Sequence, residues 1–430
     1  MIEPLTSNTQ AILLLTAPLV AGRGEGSPGL LSLGEYNRLA RILREKQKQP
    51  ADFIGPDAQD SIELCAQPFG RARLDALLGR GFLLSQAVER WNARAIWVIS
   101  RADSRYPKRL KARLKEDAPP LLYGCGEIAV LEKGGLAVVG SRHVDDEQID
   151  FTENVGRLTA KAHRTVVSGG AKGIDRAAMH GALQEGGDVA GVMADSLERA
   201  ALARDNREPL MEGRLVLISP YDPAAGFNVG HAMQRNKVIY ALADAGLVVT
   251  SDFEKGGTWT GAIEQLERFH FVPVFVRNGS NAGRGNSALI QHGGLPWPNP
   301  KDAAALGETL STALASVAAE PKQEALPFAL REQPAAYTTS IKPVEYSSAV
   351  NIVTEVKSSP AEELFKAVRD ILRRALVAGQ TEGEIVSLLG VTKPQAKEWL
   401  AKLIKEGTVE KVKKTKPVRY RASTVSDRLL

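Results

Sequence analysis

Short apolar runs, each closed by small residues, punctuate the middle of the chain. Leu136-Ala137-Val138-Val139 runs into Gly140-Ser141-Arg142. Thr165-Val166-Val167 runs into Ser168-Gly169-Gly170-Ala171-Lys172-Gly173. Ala245-Gly246-Leu247-Val248-Val249 leads through Ser251-Asp252-Phe253-Glu254-Lys255 into Gly256-Gly257-Thr258-Trp259-Thr260. Strands buried on both faces read as continuous apolar runs, because helices cover both sides of a parallel sheet. Ile96–Ile99, Asp188–Met193, Arg214–Ser219 and Val272–Val276 add four more strands, Pro273 marking an edge or a strand start. Alternation of such runs with helical stretches predicts an α/β fold with a parallel, doubly wound sheet.

Outside this region the period changes. Ala11–Ala21 is a compact apolar stretch interrupted by Pro18, read as a buried helix start capped by Ser7 or Asn8. Leu33–Lys46 and Ala72–Trp91 carry apolar residues at three- and four-residue spacing, and Ser32 with Glu35 forms a capping box for the first. Their basic residues are available to nucleic acid, but solvated helix faces account for them better. Residues 311–360 are rich in Ala, Pro, Ser, Thr and charge, the composition of a flexible linker.

Residues 361–425 form a compact module. Ser359-Pro360 opens a helix, Thr381 and Glu384 make a capping box for a second, and Thr392 with Gln395 caps a third. Thr408–Val412 and Val418–Arg421 then alternate like a hairpin around a Lys-rich turn. Three helices and a basic hairpin make a winged-helix pattern. The expected domains are a helical N-terminal domain (1–95), a doubly wound α/β core (96–310), a linker (311–360) and a winged helix (361–425).

Composition narrows the class. With 430 residues, 43% hydrophobic and 24% charged, the chain has the make-up of a soluble multidomain protein. Cys65 and Cys125 are the only cysteines, which excludes a disulfide framework and suits a reducing cytoplasm. The six histidines show no ligand spacing, so no metal or other cofactor is expected. The Ala11–Ala21 stretch lacks a basic leader and is too short to span a bilayer, so no membrane partner is expected.

Charge is where the chemistry concentrates. The net charge is +5, and the C-terminal module alone carries 14 Lys and Arg against 8 Asp and Glu. Phosphates attract such a surface, and Lys393, Lys397, Lys413, Lys414, Lys416 and Arg419 are its candidate DNA contacts; protein docking is the competing use, since Glu398 and Glu406 share the third-helix face. In the core, glycines after a strand leave amides uncovered, a following helix aims its positive end at the same spot, and a base adds full charge. One such turn is ordinary βα geometry and fits no nucleotide fingerprint. Three at the strand ends of one sheet are what a ligand crevice requires. The candidate phosphate-binding residues are Gly140, Ser141, Arg142, Ser168, Gly169, Gly170, Lys172, Arg235, Asn236, Lys237, Gly256, Gly257, Thr258 and Thr260.

Taken together these motifs resemble the DprA/Smf family of DNA-processing proteins. Gly140-Ser141-Arg142 matches the family's Gly-Ser-Arg turn, Ser168 through Asp175 with Ala177, Ala178 and His180 its glycine-rich stretch, and Arg235-Asn236 its Arg-Asn helix start. Gly256–Thr260 resembles the turn before the last helix, and Asn286–Ile290 with Gly293-Gly294 the closing motif. The resemblance covers residues 95 to 300. It implies an extended Rossmann-like domain that binds single-stranded DNA as a homodimer, hands it to the RecA recombinase in natural transformation, and carries a C-terminal winged helix. Ser196–Pro209, Lys237 and Ser251-Asp252-Phe253 depart from the family pattern.

Three functions therefore stand side by side. The first is a non-enzymatic single-stranded DNA-binding recombination mediator. The second is a DprA-like regulator or antitoxin of a phage-defence gene pair, sensing nucleic acid or nucleotide and restraining a toxic partner. The third is a nucleotide-cleaving enzyme, for which Glu264 and Asp175 are the nearby acids; Asp175 reads better as an N-cap or ion-pair residue, and His180 as a residue packed on its helix.

Overall fold

The computed structural model describes residues 4–19, 29–279 and 282–319, and within the C-terminal segment 380–381, 384–385, 400, 403–404, 408–412 and 419–422. Two compact units result, residues 1–328 and 329–430.

Nine strands form the sheet of the first unit: β1 (Trp97–Ser100), β2 (Leu121–Gly126), β3 (Leu136–Val139), β4 (Val166–Ser168), β5 (Val189–Val192), β6 (Leu215–Ser219), β7 (Ala245–Val248), β8 (Val274–Val276) and β9 (Leu295–Pro296). Their order is β1-β2-β6-β5-β4-β3-β7-β8-β9. From β6 to β9 every neighbour pair is parallel. The chain steps outward from β3 through β4 and β5 to β6, then returns to place β7 on the other side of β3. Side chains along each strand alternate between two cores. Leu136 and Val138 face one, Ala137 and Val139 the other.

Five helices precede the sheet: α1 (Ser7–Thr16), α2 (Leu33–Glu45), α3 (Ala58–Phe69), α4 (Arg71–Leu78) and α5 (Gly81–Asn92). Then follow α6 (Lys108–Leu114), α7 (Asp146–Lys161), α8 (Ile174–Gln184), α9 (Leu197–Ala201), α10 (Arg204–Met211), α11 (Val229–Leu242), α12 (Gly256–Glu264), α13 (Gly283–Gln291) and α14 (Ala303–Ala319). Residues of α7, α8 and α14 share one core with Leu13, Trp91 and other N-terminal residues, while α6, α11, α12 and α13 cover the opposite face.

Several expectations change. The sheet is not wholly parallel: β2, a run the sequence reading left out of the strands, pairs antiparallel with both β1 and β6. Pro273 marks a start, since β8 begins at Val274 and lies between β7 and β9. The Ala72–Trp91 stretch is two helices. Arg80, between Gly79 and Gly81, turns its guanidinium onto the carbonyls of Leu14, Ala17 and Leu77, and the chain bends to let it. Helix α1 is capped by Thr6, whose hydroxyl accepts from the Thr9 amide at 3.2 Å, not by Ser7 or Asn8. The boundary near residue 95 does not separate cores: Trp91 is 1% exposed and meets Tyr123 of β2 edge-on, ring centroids 5.1 Å apart. Helix α14 runs to Ala319, into the stretch expected to begin a linker at 311.

The Ser32–Glu35 capping box is present, and Arg73 Nη1 lies 2.7 Å from the Glu35 carboxylate. The Arg73 hydrogen bond, seconded by the Ser32 amide, lowers the Glu35 pKa from 4.5 to about 2. A carboxyl depressed in the folded state contributes stability above its unfolded pKa and loses it as pH falls through the folded one. Solvent reaches the pair, which limits its worth to about 1 kcal/mol. Glu35→Gln is thus expected to lower the unfolding free energy by about that amount near neutral pH, with the difference from wild type shrinking from about pH 4.5 to about 2. Urea titrations across that range measure it; a pH-independent difference would contradict the assignment.

In the second unit, β10 (Gln380–Thr381), β11 (Val409–Lys411) and β12 (Arg419–Ala422) form a sheet in the order β10-β12-β11. Of the expected basic hairpin the two strands are present as antiparallel β11 and β12, and the Lys-rich turn lies outside the described residues. So is the capping box: the Thr381 amide donates to Glu384 at 2.8 Å and the Glu384 amide to the Thr381 hydroxyl at 3.4 Å. The three expected helices lie largely outside the described residues.

Candidate functional site

At the C-terminal ends of β3 and β7 the strand order reverses, so the loops leaving them diverge and a crevice opens. A cleft of about 340 Å³ occupies this place. Gly140, Ser141 and Arg142 line it from the β3 turn, Gly256, Gly257 and Thr258 from the start of α12, and Arg235 and Asn236 from α11.

Backbone bonds hold the turns to one another. The Ser141 amide donates to the Thr250 carbonyl at 3.1 Å, and the Ile174 amide to the Ser141 carbonyl at 3.4 Å. Gly140 is glycine because a Cβ would stand 2.5 Å from the Ile174 side chain, where α8 docks. Asn236 Nδ2 donates to the Gly257 carbonyl at 2.8 Å, tying α11 to the α12 turn. Asn286, fully buried, accepts from the Ser251 amide and donates to the Val249 and Arg277 carbonyls, pinning the loop after β7.

Beneath the floor sits a buried ion pair. Arg235 is 4% exposed and Asp175 5%, with Nη1 and Oδ2 3.4 Å apart. Burial pushes the Asp175 carboxyl up; the Arg235 guanidinium and the Gly140 and Ala171 amides, which donate to the same carboxylate, act against this. Asp175 therefore joins the β3 turn, the β4 turn and α11 through one side chain. Gly169 allows the approach, since any Cβ there would land on the Arg235 guanidinium.

Above the floor the site is open and cationic. Arg142 is exposed and lies over the Phe227 ring, 4.9 Å from its centroid. Phe227 is itself 57% exposed. His143 and Lys255 also line the cleft, opposed by Asp252. Helix α12 has no side-chain cap at Lys255, so the amides of its first turn remain available at the cleft edge. A phosphate seated there would meet amides, a guanidinium and a helix dipole together, with an aromatic face beside it.

The predicted residues divide on this geometry. The cleft gathers Gly140, Ser141, Arg142, Asn236, Gly256, Gly257 and Thr258. Arg235 is a correction: it lies at the cleft, but buried and paired rather than as a solvent-facing cation. Ser168 is a second: fully buried, its hydroxyl donates to the Val138 carbonyl at 2.6 Å and binds the sheet together. Gly169 is buried as well, and Gly170, Lys172 and Lys237 are not in the cleft lining. The Thr260 hydroxyl donates back to the Gly256 carbonyl at 3.1 Å, inside its own helix. Glu264 is not in the lining either. His180 is held by Glu153 of α7, 3.0 Å away. Lys255, His143 and Asp252 are cleft residues the sequence reading left out; Lys255 had a signal, standing directly before Gly256-Gly257. Of the winged-helix candidates, Lys393, Lys397, Lys413, Lys414 and Lys416 lie outside the described residues, and Arg419 stands in β12 with Glu384 4.0 Å away.

Among the described residues no group of His, Cys, Asp and Glu could hold a metal ion, and no helix is long and apolar enough to cross a membrane. Both cysteines are buried and free.

Residues 97–305 match the family model described as DNA recombination-mediator protein A. DNA processing protein DprA of Streptococcus pneumoniae is 29% identical over 180 residues, 41% of this chain and 63% of that protein. Protein Smf of Escherichia coli is 32% identical over 213 residues, 47% of this chain and 54% of that protein. The chain thus matches little more than half to under two thirds of the length of these curated relatives. The solved structure of the Streptococcus pneumoniae protein aligns at TM-score 0.43 and 21% identity, covering 64% of this chain and 97% of that one. DNA processing protein A from Helicobacter pylori, described for its single-stranded DNA binding mode, aligns at TM-score 0.41 and 22% identity over 51% of this chain and 96% of that one.

Proposed function

We propose that this chain, which carries a DprA/Smf-family domain over residues 97–305, binds single-stranded DNA at the β3–β7 cleft as a recombination mediator, holding the strand rather than cutting it. The observation that carries the reading is the exposed Arg142 stacked on an exposed Phe227 beside the uncapped start of α12. Phosphates fit the cation and the amides, and a base fits the ring; a single strand offers both at every nucleotide. The carboxylates at the cleft speak against hydrolysis, since the lining holds two, Asp175 and Asp252, and Asp175 is committed to Arg235. Delivery of the strand to RecA and action as a homodimer belong to the same proposal.

A length series of oligodeoxythymidylates, read by fluorescence anisotropy beside a mononucleotide, tests it. Affinity is expected to rise over several nucleotides and fall steeply with salt. Binding that saturates with one nucleotide, or release of free base or phosphate, would replace the mediator with a nucleotide sensor or an enzyme.

A further inference from the structure

A second cationic surface lies away from the cleft. Between α2 and the β1–α6 region runs a groove of about 630 Å³, lined by Arg41, Arg44, Lys48, Arg101, Lys111 and Lys115 with Glu116 the one carboxylate among them. Glu116 is 3.7 Å from Arg41. Arg44, Lys48, Lys111 and Lys115 have no carboxylate within ion-pair distance among the described residues. Like charges gathered in one groove repel, and such a concentration is left standing where a polyanion neutralises it.

Two further features mark the groove as built. Arg101 is preorganised: its guanidinium lies 4.9 Å from the Tyr36 ring centroid, and Nη2 donates to Asn37 Oδ1 at 2.6 Å. Gln47 and Lys115, both in the lining, hold left-handed backbone with φ of 56° and 50°, a conformation that costs a side-chain-bearing residue free energy.

We propose that this groove is a second binding site for the sugar-phosphate backbone of single-stranded nucleic acid, separate from the β3–β7 cleft. Tyr36 is 3% exposed and covered by Arg101, so no ring is offered to a base. The groove therefore engages phosphates without regard to sequence. It lengthens the strand a protein molecule can hold, and its contribution is the more salt-sensitive part of binding.

The test uses the full chain with Arg44→Gln, Lys48→Gln and Lys115→Gln together, which remove charge and keep an unbranched polar side chain at each position. Long oligodeoxythymidylate is titrated by anisotropy at several salt concentrations, with polyglutamate as a second labelled probe. The expected result at low salt is about a tenfold loss for the long strand, with the slope of log affinity on log salt shallower by about 2, from roughly 0.7 per phosphate contact. Long oligodeoxyadenylate is expected to lose as much. Unchanged strand affinity and slope overturn the proposal, as does polyglutamate binding that the triple variant loses while strand binding stays. Each single variant carries the same test should the triple variant melt early. Adding Arg142→Ala keeps this outcome distinct from that of the cleft: loss through the groove variants alone would leave the groove standing and remove the cleft reading.

Discussion

Asp175→Ala is expected to lower the unfolding free energy by about 3–5 kcal/mol, the loss that follows when one partner of a buried pair is removed. The carboxylate is almost fully enclosed, pairs with an equally enclosed Arg235 and accepts from the Gly140 and Ala171 amides. An arginine keeps its charge in any protein environment, so without Asp175 a guanidinium stands buried with no counter-charge. Arg235 Nε already lacks a hydrogen-bond partner, leaving little local compensation. Guanidinium unfolding monitored by circular dichroism measures the cost. The double variant Asp175→Leu with Arg235→Met separates charge from packing, because exchanging a buried pair for apolar groups of similar volume is often near neutral. It is expected to regain much of the stability. A loss under about 1 kcal/mol for Asp175→Ala would mean that the pair is not the tie between the turns.

Arg142→Ala is expected to weaken single-strand binding by about tenfold to a hundredfold while leaving stability unchanged. A hydrogen bond to a charged group contributes about 1.5–3 kcal/mol. The side chain is exposed and forms no ion pair among the described residues, so the fold does not lean on it. The salt slope should fall by about 0.7, the share of one phosphate on a single strand. Arg142→Lys restores charge without the planar stack on Phe227 and is expected to recover only part of the affinity. Phe227→Ala removes both a stacking surface, worth about 1–3 kcal/mol per base, and the platform that orients Arg142. The two effects should therefore be less than additive in the double variant. Equal affinities of wild type and Arg142→Ala at low salt would remove the cleft from the binding surface.

The two predictions separate roles that the sequence presents alike. Arg142 and Arg235 both follow small or polar residues in motifs that resemble those of one family, and both read as phosphate-binding cations. The first stands in solvent over an aromatic ring; the second is enclosed by α11, α8 and the β4 turn. Ser168 and Ser141 both donate their hydroxyls to backbone carbonyls, of Val138 at 2.6 Å and Thr250 at 3.4 Å, but only Ser141 lines the cleft. What decides each case is the direction of a side chain relative to its neighbours, which local pattern does not encode.

Read alone, the sequence marks most of the strands buried on both faces, β2 excepted, since short apolar runs closed by small residues fit no exposed element. It determined the caps at Ser32–Glu35 and Thr381–Glu384, because a capping box is local chemistry within four residues. It also marked the small-residue turns from which the cleft is made. Which of them meet is settled by the three-dimensional packing. Gly140 and Gly257 are more than a hundred residues apart, and they share a cleft because β7 crosses back beside β3. The pairing of β2 with β1 and β6, the merging of the N-terminal helices with the sheet, and the burial of Arg235 against Asp175 are likewise contacts between distant segments. Each is fixed by packing and by the need to pair enclosed polar groups, and both are properties of the assembled core.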